Sequence, residues 1–284
     1  MFTTLIQPRE LQALIDAGAP VNVMDCSFDL MNPAAGRAQF ESGHLPGSVH
    51  VDLDTDLSDK GRPASEGRHP LPDRAVFAAR MAAFGLNRGQ QVVVLDRQGV
   101  NFAGRLWWML RWCGHEAVAV LDGGFAAWQA EGGRIESGPA VPPRTLGDFV
   151  AGPSLAPTVD TATLRMRLGR RDTTVIDARA AARFRGEVEP LDPVAGHVPG
   201  ALNRPFGDNL QADGRFKSAA QLRGEFDRLL AGRDPGGVVH QCGSGVSAVP
   251  NLLAMQIAGF GTTALYPGSW SAWCNTEGTP RARG

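Results

Sequence analysis

The chain of 284 residues repeats itself, and that repeat restricts its fold more than any other feature. Val21-Asn22-Val23-Met24-Asp25 matches Thr174-Val175-Ile176-Asp177, each an apolar run closing on aspartate. Gly43-His44-Leu45-Pro46-Gly47 returns as Gly196-His197-Val198-Pro199-Gly200, and Val92-Val93-Val94-Leu95-Asp96 as Val238-Val239-His240-Gln241-Cys242. Leu121-Asp122-Gly123-Gly124-Phe125-Ala126-Ala127-Trp128 returns as Tyr266-Pro267-Gly268-Ser269-Trp270-Ser271-Ala272-Trp273. The offsets are 152, 153, 146 and 145 residues, in the same order along the chain. Unrelated segments do not recur in order at nearly constant spacing, so the chain is a duplicated domain.

Within each half, short apolar strands alternate with helical patterns, which implies a mainly parallel sheet covered by helices on both faces. Ser218 and Gln221 form a capping box opening a helix with Leu222, Phe226, Leu229 and Leu230 on its apolar face. Its counterpart after Asp73 carries Val76, Phe77, Met81 and Phe84. A longer helix is expected over 102–113 in the first half and 251–260 in the second, closed by Gly114 and by Gly259 and Gly261. The fold class is α/β, twice over. Prolines at 139, 142, 143, 153 and 157 predict a stiff, extended linker over 137–157. It separates an N-terminal domain, 1–136, from a C-terminal domain, 158–284.

The copies differ where chemistry is concentrated. Val238-Val239-His240-Gln241-Cys242-Gly243-Ser244-Gly245-Val246-Ser247-Ala248 runs strand, tight loop, helix, with a thiol at the end of the strand. Backbone amides of such a loop and the following helix N-terminus converge where negative charge is favoured, which suits a nucleophilic sulfur. A buried, inert cysteine beside a glycine-rich turn is the competing reading of the same segment. In the first half Asp96 stands in place of Cys242, so that copy lacks a thiol nucleophile.

Bulk composition excludes several classes of function. A formal net charge of −1 advertises neither nucleic acid nor an anionic membrane as partner. Cys26, Cys113, Cys242 and Cys274 are too few and too scattered for a disulfide framework or a metal-ligand pattern. Met1 to Pro8 lacks the pattern of a signal peptide, and no apolar run reaches the roughly 18 residues of a membrane span. A soluble, cytoplasmic protein is expected.

Gly-His-x-Pro-Gly in both halves, Cys242-Gly-Ser-Gly-Val-Ser-Ala248 and Gly268-Ser-Trp-x-x-Trp273 together make the chain resemble the two-domain rhodanese-like sulfurtransferases over nearly its whole length. The neutral Cys-Gly-Ser-Gly-Val loop resembles the 3-mercaptopyruvate branch, whereas the thiosulfate branch carries cations just after the cysteine. The resemblance implies that Cys242 carries sulfur as a persulfide, cradled by the amides of Gly243, Ser244, Gly245, Val246, Ser247 and Ala248, with no metal or organic cofactor. It implies that Arg183 binds the donor's anionic group, whereas Arg179 and Arg185 are read as solvated or as ties between the two domains. A second arginine expected after Glu189-Pro190 is replaced by Leu191. Asp54, His69 and Ser244 match a proposed aspartate–histidine–serine relay, with the first half lending its histidine to the second. His44 and His197, present in both copies, are read as turn residues, and the six tryptophans as core and domain-packing residues and not a binding cage.

Two other donors or roles remain open on this reading: thiosulfate in place of mercaptopyruvate, and a sulfur-carrier or regulatory module without turnover. The acceptor would be thioredoxin, a small thiol or cyanide. A phosphatase of similar fold is excluded, because it needs an arginine to clamp phosphate and Ala248 stands at that position.

Overall fold

Apolar runs bounded by turns become strands buried on both faces, and a sheet of such strands is parallel because its connections are helices. The computed structural model describes residues 1–139 and 145–284. In the first repeat these are β1 (Leu5–Ile6), α1 (Pro8–Asp16), β2 (Val21–Asp25), α2 (Ala34–Ser42), β3 (Val49–His50), α3 (Arg74–Ala83), β4 (Gln91–Leu95), α4 (Asn101–Trp112), β5 (Val118–Leu121) and α5 (Gly124–Ala130). The strands pair in the order β1-β5-β4-β2-β3, all parallel.

The second repeat rebuilds this with α6 (Thr161–Arg167), β6 (Thr174–Asp177), α7 (Ala181–Arg185), β7 (Leu202–Asn203), α8 (Ala219–Leu230), β8 (Val238–Gln241), α9 (Val249–Ile257), β9 (Ala264–Leu265) and α10 (Ser269–Asn275). The order is β7-β6-β8-β9, and the counterpart of β1 is reduced to a single parallel bridge between Thr158 and Leu265. The cores correspond position by position. Leu11, Val23, Leu45, Val93 and Trp128 fill the first, and Leu164, Val175, Val198, Val239 and Trp273 the second.

The expected helices form with small shifts. The capping box of Ser218 and Gln221 is present at the start of α8, and Leu222, Phe226 and Leu230 are buried on it. Asp73 stands at the N-cap of α3, and Val76 faces solvent, so the buried face of α3 runs through Phe77, Ala78, Met81 and Ala82 instead. Pro250 sits in the first turn of α9, where its missing N–H costs nothing. His44 and His197 do structural work: each Nδ1 bonds a backbone carbonyl (Phe40 and Phe184) while the ring stacks on that same phenylalanine at 4.0 and 3.9 Å.

The packing departs from a division at residues 136 and 158 in two places. The first unit comprises Met1–Ser58, Pro72–Leu155 and Gln211–Phe216; the second comprises Asp59–Leu71, Ala156–Leu210 and Lys217–Gly284. Prolines 142 and 143 of the expected linker lie outside the described residues. The stretch beyond them, up to Leu155, is bound to the first unit. Gly147 N donates to Ala82 O, Phe149 N to Leu86 O and Gly152 N to Cys113 O, and Phe149 is buried. Among the described residues no helix is long and apolar enough to cross a membrane.

Candidate active site

β8 is an all-buried strand, so its side chains are enclosed whatever their polarity. It delivers Cys242 at its end, 2% exposed. The loop that follows is held from outside by the start of α10. Trp270 N donates to Cys242 O at 3.0 Å, Ser271 N to Gly243 O at 2.8 Å, and Cys242 N donates to Ser269 Oγ at 3.1 Å. With the carbonyls of 242 and 243 turned toward α10, the later peptide N–H groups are left for something else. Among the described residues the amides of Gly243, Ser244, Val246, Ser247 and Ala248 donate to no acceptor in the chain. Gly245 makes the turn at φ +75°, and a Cβ there would lie 2.2 Å from Pro267 O, so only glycine fits.

The first repeat shows what such a loop holds. Asp96, 3% exposed and aligned with Cys242, folds its carboxylate back into its own loop. Oδ1 accepts from the amides of Gln98 and Val100 at 3.0 Å each, and Oδ2 from those of Phe102 and Ala103 at 2.9 Å each. Burial raises the Asp96 pKa, and these four amides offset that rise only in part. At the same offset of 146 residues stand the amides of Ser244, Val246, Ala248 and Val249. The first three are among those left without an acceptor. A carboxylate oxygen lies two bonds from Cβ, as does the outer sulfur of a cysteine persulfide. Asp96 is thus a built-in analogue, in shape and charge, of a persulfide on Cys242.

A second substitution opens the space beside the thiol. In the first unit Arg97, directly after Asp96, donates to Asp25 Oδ2 at 2.8 Å and to Gly43 O, and lies over Phe125 at 3.9 Å. In the second unit those roles pass to Arg179 from another loop. It donates to Asp177 Oδ2 at 2.7 Å and Gly196 O at 2.8 Å, and lies over Trp270 at 4.9 Å. Residue 243 is thereby free to be glycine. Of the two readings of Arg179, solvated or a tie between domains, the solvated one fails: the side chain is buried and holds Asp177, Glu189 and Gly196 within the second unit. Burial opposes its charge, but Asp177 and Glu189 outweigh that and raise its pKa. Arg185 is solvated, paired with Glu187 at 2.6 Å.

Arg183 faces that opening. Its Nη2 donates to Glu189 Oε1 at 2.6 Å and lies 3.5 Å from Asp192 Oδ2. Burial pushes the Glu189 pKa up, yet Arg183 and the amides of Leu191 and Asp192 more than offset this and lower it. His69 Nδ1 and Ser244 Oγ share a hydrogen bond of 2.7 Å, both groups being buried. The histidine arrives on residues 59–71, which pack within the second unit although they belong to the first repeat. That segment is closed by Asp59 N donating to Pro70 O, and Gly67 (φ +99°) lies close against Gly268 O. Asp54 belongs to the first unit, half-buried, with its amide bonded to Asp52 Oδ1 at 2.8 Å; its part in a relay rests on the sequence resemblance.

Three features escaped the sequence reading. Arg68 sits beside Gly243, and nothing in its local pattern sets it apart from its chain neighbour His69. Glu189 and Asp192 are buried anions, and nothing in their local pattern predicts burial. His240 in β8 is fully buried with neither ring nitrogen bonded among the described residues, and burial lowers its pKa to about 3. The other three thiols are buried away from this loop. Burial raises the pKa of Cys26 and Cys113, and that of Cys274 to about 11. Among the described residues no three His, Cys, Asp or Glu side chains group as a metal site.

The sequence profile of the rhodanese-like domain matches residues 7–131 and 160–276. A protein of Pseudomonas aeruginosa named "Probable 3-mercaptopyruvate sulfurtransferase" is 46% identical over 92% of each chain. A Mycobacterium tuberculosis protein provisionally named as a thiosulfate sulfurtransferase, SseB, is 41% identical over 99% of this chain and 97% of its own. The crystal structure of the 3-mercaptopyruvate sulfurtransferase SseA of Escherichia coli superposes with a TM-score of 0.79 at 32% identity, covering 95% of this chain and 99% of that one.

Proposed function

Because the chain belongs to the rhodanese-like family and is a sulfurtransferase, we propose that it moves sulfane sulfur from 3-mercaptopyruvate to a thiol or cyanide through a persulfide on Cys242. The Cys242 thiolate attacks the donor's thiol sulfur. A sulfur–sulfur bond forms, the carbon–sulfur bond breaks, and its electron pair leaves on carbon as the enolate of pyruvate. The proton released from the donor's thiol goes to that carbon, giving pyruvate and Cys242–S–S⁻. The acceptor then takes the outer sulfur and the thiolate returns, a ping-pong cycle.

The observation that carries this donor is the His69–Ser244 hydrogen bond, two residues beyond the nucleophile. Mercaptopyruvate needs a proton delivered to its departing carbon, and a buried imidazole bonded to a hydroxyl is suited to move one. Thiosulfate leaves as sulfite and needs none. The amides of Gly243 through Ala248 support the outer sulfur of the persulfide, as Asp96 is supported in the first unit. Arg183 meets the donor's carboxylate with a planar fork. The setting is the cytoplasm, where thioredoxin or a small thiol serves as acceptor, with no nucleic acid or membrane involved.

A thiosulfate reading draws support from the name of the M. tuberculosis relative. Steady-state kcat/KM for both donors, with cyanide as acceptor, separates the two. We expect a higher value for 3-mercaptopyruvate, and His69→Gln should lower that value about 10²-fold while sparing thiosulfate. A higher wild-type value for thiosulfate overturns the mercaptopyruvate reading.

A further inference from the structure

Gly243, next to the nucleophile, carries no side chain, and the space a Cβ would point into is occupied from two directions. Such a Cβ would lie 3.0 Å from Arg68 Nη2 and 3.5 Å from each terminal nitrogen of Arg183. Two guanidinium groups therefore converge over residue 243. Two carboxylates hold them there, Asp192 facing both and Glu189 bonding Arg183. Arg68 Nη1 pairs with Asp192 Oδ1 at 2.6 Å, and Arg183 Nη2 lies 3.5 Å from Asp192 Oδ2. Asp192 and Glu189 have side chains only 2% and 3% exposed, whereas those of Arg68 and Arg183 are 23% and 18% exposed. The anions are thus sunk behind the forks, and the cations face outward.

The nitrogens left over point to a ligand. Among the described residues Arg68 Nη2 and Arg183 Nη1 donate to no acceptor, and these are among the atoms nearest the Gly243 opening. Arg68 Nε is buried and likewise unbonded. Like charges are brought together at the cost of repulsion, which an oxyanion between them relieves. The delivery is also specific. Adjacent residues Arg68 and His69 reach adjacent residues Gly243 and Ser244, so the segment that brings the histidine brings the cation in register. Leu191, where the resemblance implies a second cation, is apolar.

We propose that Arg68 is a donor-binding residue, forming with Arg183 a two-guanidinium clamp for the donor's carboxylate over Gly243. Residue 191 then needs no charge, and the loop after the cysteine stays neutral because the cations come from outside it. The clamp deepens the mercaptopyruvate reading and rests on it only for the identity of the donor.

The test uses the full chain with Arg68→Gln and Arg68→Lys. Cys242 is alkylated with iodoacetate and with iodoacetamide, which differ in charge but little in shape, and the ratio of the two rates is taken. This cancels any change in thiol reactivity and needs no assumption about the donor. Arg68→Gln should lower the iodoacetate-to-iodoacetamide ratio about tenfold, with much of it restored by Arg68→Lys. In turnover, Arg68→Gln should raise KM for 3-mercaptopyruvate about ten- to a hundredfold and change kcat by less than about threefold. An unchanged alkylation ratio in Arg68→Gln overturns the clamp, as does a ratio equally low in Arg68→Lys. A ratio that falls as expected in a protein that prefers thiosulfate sustains the two-guanidinium clamp as an anion site and overturns the donor reading, and with it the carboxylate as the group held.

Discussion

Two glycines of the Cys242 loop look alike in sequence and should behave oppositely when replaced by alanine. At Gly245 the backbone is left-handed, φ +75°, which costs an L-residue about 1 kcal/mol. The added Cβ would also lie 2.2 Å from Pro267 O, 2.9 Å from Pro267 C and 3.0 Å from Pro267 Cα, all backbone atoms that cannot swing aside. The loop must retreat by about 1 Å, at an overpacking cost of about 1–3 kcal/mol. Together these amount to about 2–4 kcal/mol, which corresponds to a fall in Tm of roughly 5–15 °C. A 1 Å displacement of amides beside the nucleophile should also cost about 10²-fold in turnover. Gly243→Ala meets only the ends of two flexible arginines, at 3.0 and 3.5 Å. It should change stability by less than about 0.5 kcal/mol and raise the donor KM several-fold as the guanidinium groups move off. Thermal unfolding and pyruvate release measured side by side decide the matter. If Gly245→Ala melts and turns over like wild type, or if Gly243→Ala is the less stable of the two, the geometry assigned to this loop is wrong.

Asp96→Asn keeps the shape of the built-in anion but turns an NH₂ toward two of the four amides it now satisfies, so it should destabilise the protein by about 2–5 kcal/mol in urea unfolding; no loss would mean that the loop is not an anion nest. His240 binds a proton in the unfolded chain near pH 6.5 but in the folded one only near pH 3. The unfolded state therefore holds more protons between those values, and stability should fall as pH drops through that window, by up to about 1.4 kcal/mol per pH unit. His240→Leu should flatten the dependence between pH 5 and 7, and an unchanged slope would show that the histidine is protonated or solvated. Glu189, held below its ordinary value, stays ionised until the pH falls beneath the usual carboxylate range, so its ion pairs with Arg179 and Arg183 should not account for changes in turnover above about pH 5.

Periodicity and duplication made much of this fold readable. Strand-end aspartates, the Gly-His-x-Pro-Gly turns and the capping box at Ser218 are local patterns with local causes, and they appear where the pattern lies. The Cys242 loop was legible for the same reason: glycine, small residues and a helix start are adjacent in sequence. What could not be read was long-range. Arg68 and Asp192 are 124 residues apart, and nothing near either one announces the other. Nor does the repeat announce that Arg179 replaces Arg97 from a different loop, since each is an arginine near a strand end with an ordinary neighbourhood. Val76 shows the limit on helices. It fits an apolar face by spacing, yet the packed face of α3 is set by what α3 meets, and Ala78 and Ala82 lie there instead.

The central claim is that Cys242 carries sulfur taken from 3-mercaptopyruvate. The most direct measurement is intact-mass and peptide mapping of the full-length protein after brief exposure to that donor and removal of the excess. The account predicts one added sulfur per chain, on the peptide that contains Cys242, lost on addition of cyanide and absent from a folded Cys242→Ser variant. Sulfur mapping instead to Cys26, Cys113 or Cys274, or a wild-type protein that takes up none from 3-mercaptopyruvate, would contradict it.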